Sequence, residues 1–183
     1  MSSFHATVTD ARLAIDTDDH TDDPLELLVD DETVPFTATY DGTAWETTPV
    51  SWPSPAPDIE VPLAEFDIDV SVAQPLTGTL DRQANQMTAS LALDIGIEVS
   101  IAVVGIDATL HLDSSLTTAQ SGDMNGTATG LDTESATVTL VDNELTIPTC
   151  GEEKVDDLFG LPSETPGRNS LILTLDIDFP ETE

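Results

Sequence analysis

Positive charge is the scarcest property of this chain. Arg12, Arg82, Lys154 and Arg168 are its only lysines and arginines, against 36 aspartates and glutamates in 183 residues. Four scattered cations cannot form the basic footprint that nucleic acid requires, and an anionic membrane surface would repel the rest of the chain. Cysteine occurs once, at Cys150, so no internal disulfide can form. In "IPTCGEE" that thiol reads as a small loop-edge residue, not as a nucleophile. No stretch approaches the roughly 18 uninterrupted apolar residues that a spanning helix needs. The opening "MSSFHATVTDARLAID" has no basic n-region, apolar h-region or small-residue cleavage site, so neither a signal peptide nor membrane insertion is expected.

Catalytic motifs are missing as well. The three histidines, His5, His20 and His111, form no His-x-His or His-Glu-x-x-His pattern. There is no Gly-x-Ser-x-Gly elbow and no glycine loop of the phosphate-cradling kind. Paired carboxylates carry acid–base chemistry in many enzymes, but where carboxylates are everywhere their pairing conveys nothing. The expectation is a protein that is not an enzyme and has no organic cofactor.

What the chain does have is negative charge, formally −32. Self-repulsion on that scale weakens a compact state in dilute buffer. At molar salt the Debye length shrinks to about 3 Å, and an acidic surface then costs little. Disorder is the other state that high charge and few aromatics favour. Regular alternation of apolar residues argues for a fold instead.

Period two dominates the chain. Phe4, Ala6 and Val8 share a face, as do Ala11, Leu13 and Ile15. "VPFTATY" and "TAWETTPV" flank Asp41-Gly42, a hairpin dipeptide. "WPSPAPD" holds three prolines and reads as a crossover between sheets, over 51–58. "IEVPLAEFDIDVSV" alternates again, "ATVTLVDNELTIPT" reads as two short strands around Asp142-Asn143, and Leu171, Leu173, Leu175, Ile177 and Phe179 close the series. Only "EEKVDDLFG" suggests a helix, of one or two turns. Ten or more short strands imply one all-β domain over 1–183, an antiparallel sandwich or jelly-roll-like barrel with at most one short helix.

The longest apolar stretch is "ASLALDIGIEVSIAVVGIDATLHLD". Odd positions are apolar from Leu91 to Val103, and even ones from Val104 to Leu112. A slip of phase by one reverses the faces unless the chain turns or bulges there. A turn at Val104-Gly105 would set Val103 against Ile106, Val99 against Leu110, and Glu98 against His111 on the wet face. The greasy face is then either core or a surface for assembly.

Two groups of residues invite a ligand. The loop "DTDDHTDD" offers Asp16, Asp18, Asp19, Asp22 and Asp23 to a hard cation, with weak Ca²⁺ or Na⁺/K⁺ association as the expectation. It lacks the glycine and final glutamate of a calcium loop of the EF-hand type, and acidic loops are also ordinary surface for a salt-adapted protein. "SGDMNGT", with Asp123 and Asn125, reads as a hairpin tip. Tyr40, Trp45 and Trp52 are either a sugar-stacking patch or core aromatics beside the proline-rich run.

Many aspartates, almost no lysine and few aromatics together resemble the proteins of extreme halophiles. A β-rich chain of this size and composition resembles the virion proteins of haloarchaeal viruses, whose capsids include small single-β-barrel subunits. Residues 112–179, with "LTTAQSGDMNGT", "TVTLVDNELTIPTCG" and "FGLPSETPGRNSLIL", also resemble secreted β-rich proteins of actinobacteria. The first resemblance implies a structural subunit of a repeating assembly, self-associating or joined to other structural subunits, in a virion or at the cell exterior of a halophile. A halophile surface or glycan-binding module is the alternative.

Overall fold

Side chains that alternate between apolar and polar bury one face of a strand and wet the other, and that pattern organises the whole molecule. The computed structural model describes residues 1–16, 24–28, 31–53, 64–101, 104–122 and 124–180. Its strands are β1 (Ser2–Ala14), β2 (Leu25–Glu26), β3 (Val34–Tyr40), β4 (Ala44–Thr47), β5 (Ala64–Val72), β6 (Thr77–Asp81), β7 (Gln86–Ile101), β8 (Val104–Thr117), β9 (Gln120–Ser121), β10 (Met124–Asn125), β11 (Thr127–Thr129), β12 (Ser135–Asp142) and β13 (Ser170–Asp178). The helix α1 (Glu153–Phe159) ends on Gly160, whose φ of 66° suits a left-handed cap.

All pairings are antiparallel, and the principal sheet closes on itself as an eight-stranded barrel. The circuit runs β12, β13, β1, β3, β4, β6, β7, β8 and back to β12. The last link is short, a single pairing of Val141 with Thr117. Inside lie Phe4, Val8, Leu13, Leu93, Leu112, Leu140 and Leu173, each at most 1 % exposed. Fully burying side chains of this size is worth about 1.5–3 kcal/mol apiece.

Two phase slips in the sequence resolve differently. In β1 the buried set passes from Phe4, Ala6 and Val8 to Ala11 and Leu13. The strand continues, and a register irregularity between Val8 and Asp10 against β13 absorbs the slip as a bulge. Between Ile101 and Val104 the chain instead reverses, and β7 pairs with β8 as a hairpin. The closing pair is Ile101–Val104, so the reversal comes earlier in the chain than a turn at Val104-Gly105. Val99 faces Ile106, not Leu110; Glu98 faces Asp107, not His111, which faces Asp94. Val103 lies outside the described residues. Each partner has moved by an even number of places, so the faces are as expected. Apolar phase sets the face of a strand, but any even shift of register satisfies it equally well.

The β7–β8 hairpin extends beyond the barrel wall. β6 and β5 lie end to end along one edge of β7, and the five-residue advance from Val72 to Thr77 spans only three residues from Leu93 to Ser90. β6 belongs to the barrel, whereas β5, the distal part of β7 and β8 make a three-stranded extension. Its apolar face is core: Ile68, Val70, Ile95, Ile97, Val99 and Leu110 are at most 5 % exposed. Val155 of α1 is buried with them, and Phe159 meets Phe66 edge-on at 6.5 Å between ring centroids. Cover thins toward the tip, where Ile106 and Ala108 are half-buried and Val104 is exposed.

One other expectation needs correction. "ATVTLVDNELTIPT" supplies one strand, β12, after which Ile147 makes only an isolated bridge to Ser163. In the proline-rich run Trp52 is buried and its Nε1 donates to the Leu27 carbonyl at 2.8 Å, while 54–58 lie outside the described residues.

A charge placed on the apolar row tests its role as core. Ile97→Asp should lower stability by several kcal/mol, because an unpaired buried carboxylate has no compensating partner there. Thermal unfolding in molar salt measures it; a folded variant with an unchanged melting temperature would show that the row is not core.

Candidate functional site

The wet face of the extension carries charge in rows that the register dictates. Asp67 of β5, Glu98 of β7 and Asp107 of β8 stand directly opposite one another, all exposed. Like charges facing across strands destabilise a sheet by roughly 0.2–1 kcal/mol per pair. Past the row Asp69–Gly96–Thr109, the next row on that face holds Ser71, Asp94 and His111. There His111 Nδ1 lies 2.6 Å from Asp94 Oδ1.

The arginines are drawn into the architecture. Arg82, in the turn after β6, donates from Nε to the Leu131 carbonyl and from Nη2 to that of Thr133, each at 2.6 Å. Its guanidinium also lies 4.1 Å from the centroid of the Phe179 ring. Arg12 pairs with Asp10 at 2.9 Å, and Arg168 with Asp16 at 2.8 Å. Lys154 is exposed on α1.

Asp16 is the one described member of the five aspartates proposed for a cation; Asp18, Asp19, Asp22 and Asp23 lie outside the described residues. Its carboxylate faces Arg168, and its backbone N–H donates to Asn169 Oδ1 at 2.9 Å. Among the described residues no group of three or more His, Cys, Asp or Glu is arranged to hold a metal ion. Met124 and Asn125 pair with Ser121 and Gln120, so "SGDMNGT" is the hairpin tip expected of it; Asp123 lies outside the described residues.

Asn169 had no motif to announce it. Fully buried, it accepts from the Asp16 N–H and the Ser163 hydroxyl, and donates to the carbonyls of Leu145 and Ser163. One amide therefore ties three separate loops to the start of β13. A polar residue directly before the most apolar strand is its only trace in the sequence.

The aromatic patch is core. Trp45 is 2 % exposed, stacked near Phe36 and edge-on to Phe4, with Nε1 donating to the carbonyls of Thr79 and Thr88. Tyr40 is half-buried, and its hydroxyl donates to the Gly42 carbonyl at 2.8 Å. A groove of about 490 Å³ runs beside it, lined by Asp41, Glu46, Thr77, Thr79 and Thr88. It presents hydroxyls and carboxylates but no open indole face. Cys150 Sγ sits 3.1 Å from Asp156 Oδ1, and burial pushes the thiol up from its ordinary value, away from a reactive thiolate.

Asp41 caps the hairpin that its sequence announced. Its carboxylate accepts from the N–H groups of Ala44 at 2.8 Å and Thr43 at 2.9 Å, which hold it below the usual carboxylate range. A depressed folded value contributes stability above the unfolded value of about 4, and loses it as pH falls through the folded one. Asp41→Ala should therefore melt below the native chain at neutral pH, with the gap closing as pH falls below the ordinary aspartate range. A gap that persists in acid would assign the cap's role to something other than its charge.

The all-acid row generates a second expectation. Glu98→Gln removes two facing repulsions and should stabilise the fold by about 1 kcal/mol at tens of millimolar salt. The gain should vanish in molar salt, where screening does the same work. Thermal unfolding at both salt levels checks this, and an equal effect at both would remove the row from the account.

Comparisons with protein-family models, with curated proteins and with solved structures returned no match for this chain.

Proposed function

We propose that this chain is a structural subunit of a repeating assembly in a high-salt environment, with the virion of a haloarchaeal virus as the assembly its composition favours. In that setting it is a single-β-barrel, jelly-roll-type subunit, joined to copies of itself or to other structural subunits. The observation that carries the reading is the facing row Asp67–Glu98–Asp107 on a sheet that projects from the barrel. Such a row suits a solvent that screens charge over a few ångströms. A long hairpin with strand edge to offer suits a subunit that builds outward from itself.

A halophile surface module that recognises glycans is the competing reading. It draws support from the hydroxyl-lined groove beside Tyr40. Burial of Trp45 and Trp52 removes the stacking platforms that such recognition uses most.

Size in solution separates the two. Sedimentation in molar salt should show association beyond the monomer, with loss of association and loosening of the fold as salt drops to tens of millimolar. A well-behaved monomer at every salt concentration would favour the surface module.

A further inference from the structure

We infer that the outer edge of β8 pairs antiparallel with β8 of a second copy, about a two-fold axis at Thr109. This inference rests on the reading of the chain as a self-associating subunit and names the surface involved. Among the described residues, no strand pairs with that edge between Val104 and Leu116. The direction of its backbone groups follows from two hydrogen bonds. Thr118 N donates to Met87 O on β7, so even-numbered residues of β8 direct their amides toward β7. Ser115 N, of odd number, donates the other way, to Asp142 Oδ2. The register with β7 is unbroken from Thr117 to Val104, so Gly105, Asp107, Thr109, His111 and Asp113 turn their N–H and C=O groups outward.

The charge pattern selects both the edge and the partner. β5 offers the other edge of the extension, where Glu65, Asp67 and Asp69 would face only acids in a self-pairing. β8 reads Asp107-Ala108-Thr109-Leu110-His111, opposite in charge about its centre. With Thr109 facing Thr109 of the second copy, Asp107 of each chain faces His111 of the other. A pattern that is its own complement is what an isologous two-fold contact requires, and a different partner would not need it. Neighbouring registers are worse. A shift one way sets Asp107 against Asp113, and a shift the other way sets His111 against Gly105.

The pairing also relieves what the single chain leaves unresolved. The row Asp67–Glu98–Asp107 gains His111 of the second copy at its open end. His111 is faced by Asp94 from β7, with Ser71 of β5 beyond, and by Asp113 along β8. Asp94 engages one ring nitrogen, and the other is left for the second copy. On the apolar side, half-buried Ile106 and Ala108 meet Leu112 and Leu110 of the second chain. The result is a six-stranded sheet that spans both molecules.

The test is charge exchange across the axis, at about pH 6, where histidine is largely protonated, and at the lowest salt that supports association. Asp107→His alone sets histidine against histidine, and His111→Asp alone sets aspartate against aspartate. Each variant should dimerise about tenfold more weakly than the native chain. An equimolar mixture of the two restores both pairings and should recover the native affinity, which also shows that each variant is folded. Thr109→Cys in a Cys150→Ser background should form an intermolecular disulfide on oxidation, since facing Cα atoms lie about 5.5 Å apart. Asp113→Cys in the same background should not. If the native chain associates but the variants and their mixture behave alike, or Thr109→Cys fails to cross-link, this edge is not the interface, though the subunit reading stands. If the native chain is monomeric at every salt concentration, both fall together.

Discussion

The barrel depends on a contact far smaller than the walls it joins. β8 meets β12 through the pairing of Thr117 with Val141, and the buried carboxylate of Asp142 completes the seam. That carboxylate accepts from the Ser114 hydroxyl at 2.8 Å and the Ser115 N–H at 2.9 Å on one side, and from the Glu144 N–H on the other. In a molecule with 36 acids, this one is turned inward and used as an acceptor. Without the seam, β12 would keep only the short β11 on that side, and the leucines of the interior would line an unclosed sheet. Beyond it, β8 leaves the wall and the three-stranded extension begins.

Scarcity of cations shapes everything outside the core. The arginines serve specific joints: Arg82 fastens the β6–β7 turn to the loop before β12, and Arg168 holds the end of β1. Few cations are left to offset the wet face, so the surface answers its own charge by spacing, by backbone amides as at Asp41, or by salt. Register forces acids into opposition at Glu98, which faces Asp67 and Asp107. The proposed high-salt assembly is a setting that would supply screening there.

Buried polar groups tie the loops to the barrel. Asn169 satisfies four hydrogen bonds at the junction of Asp16, Leu145 and Ser163. The sidechain of Thr118 accepts from Met87 N, and Trp52 anchors the chain after β4 to Leu27. Satisfied groups of this kind favour one arrangement of loops over others, because an amide left unpaired in the interior costs more than an exposed one.

Period-two alternation by itself determined that the chain is all-β, which residues face inward, where Asp41-Gly42 turns, and that one short helix precedes the last strand. These are readable because a strand's faces and a turn's dihedral demands are local. Tertiary structure decided the rest. Whether a phase slip becomes a bulge, as after Val8, or a hairpin, as after Ile101, depends on which neighbour is waiting to pair. Register decided that Glu98 faces Asp107 and that His111 faces Asp94, since alternation is blind to even shifts. Closure of the sheet into a barrel, the burial of Trp45 and Trp52, and the meeting of Asp16 with Asn169 join residues far apart in the chain. No local pattern encodes a distance across the sequence; only the packing of the assembled strands fixes it.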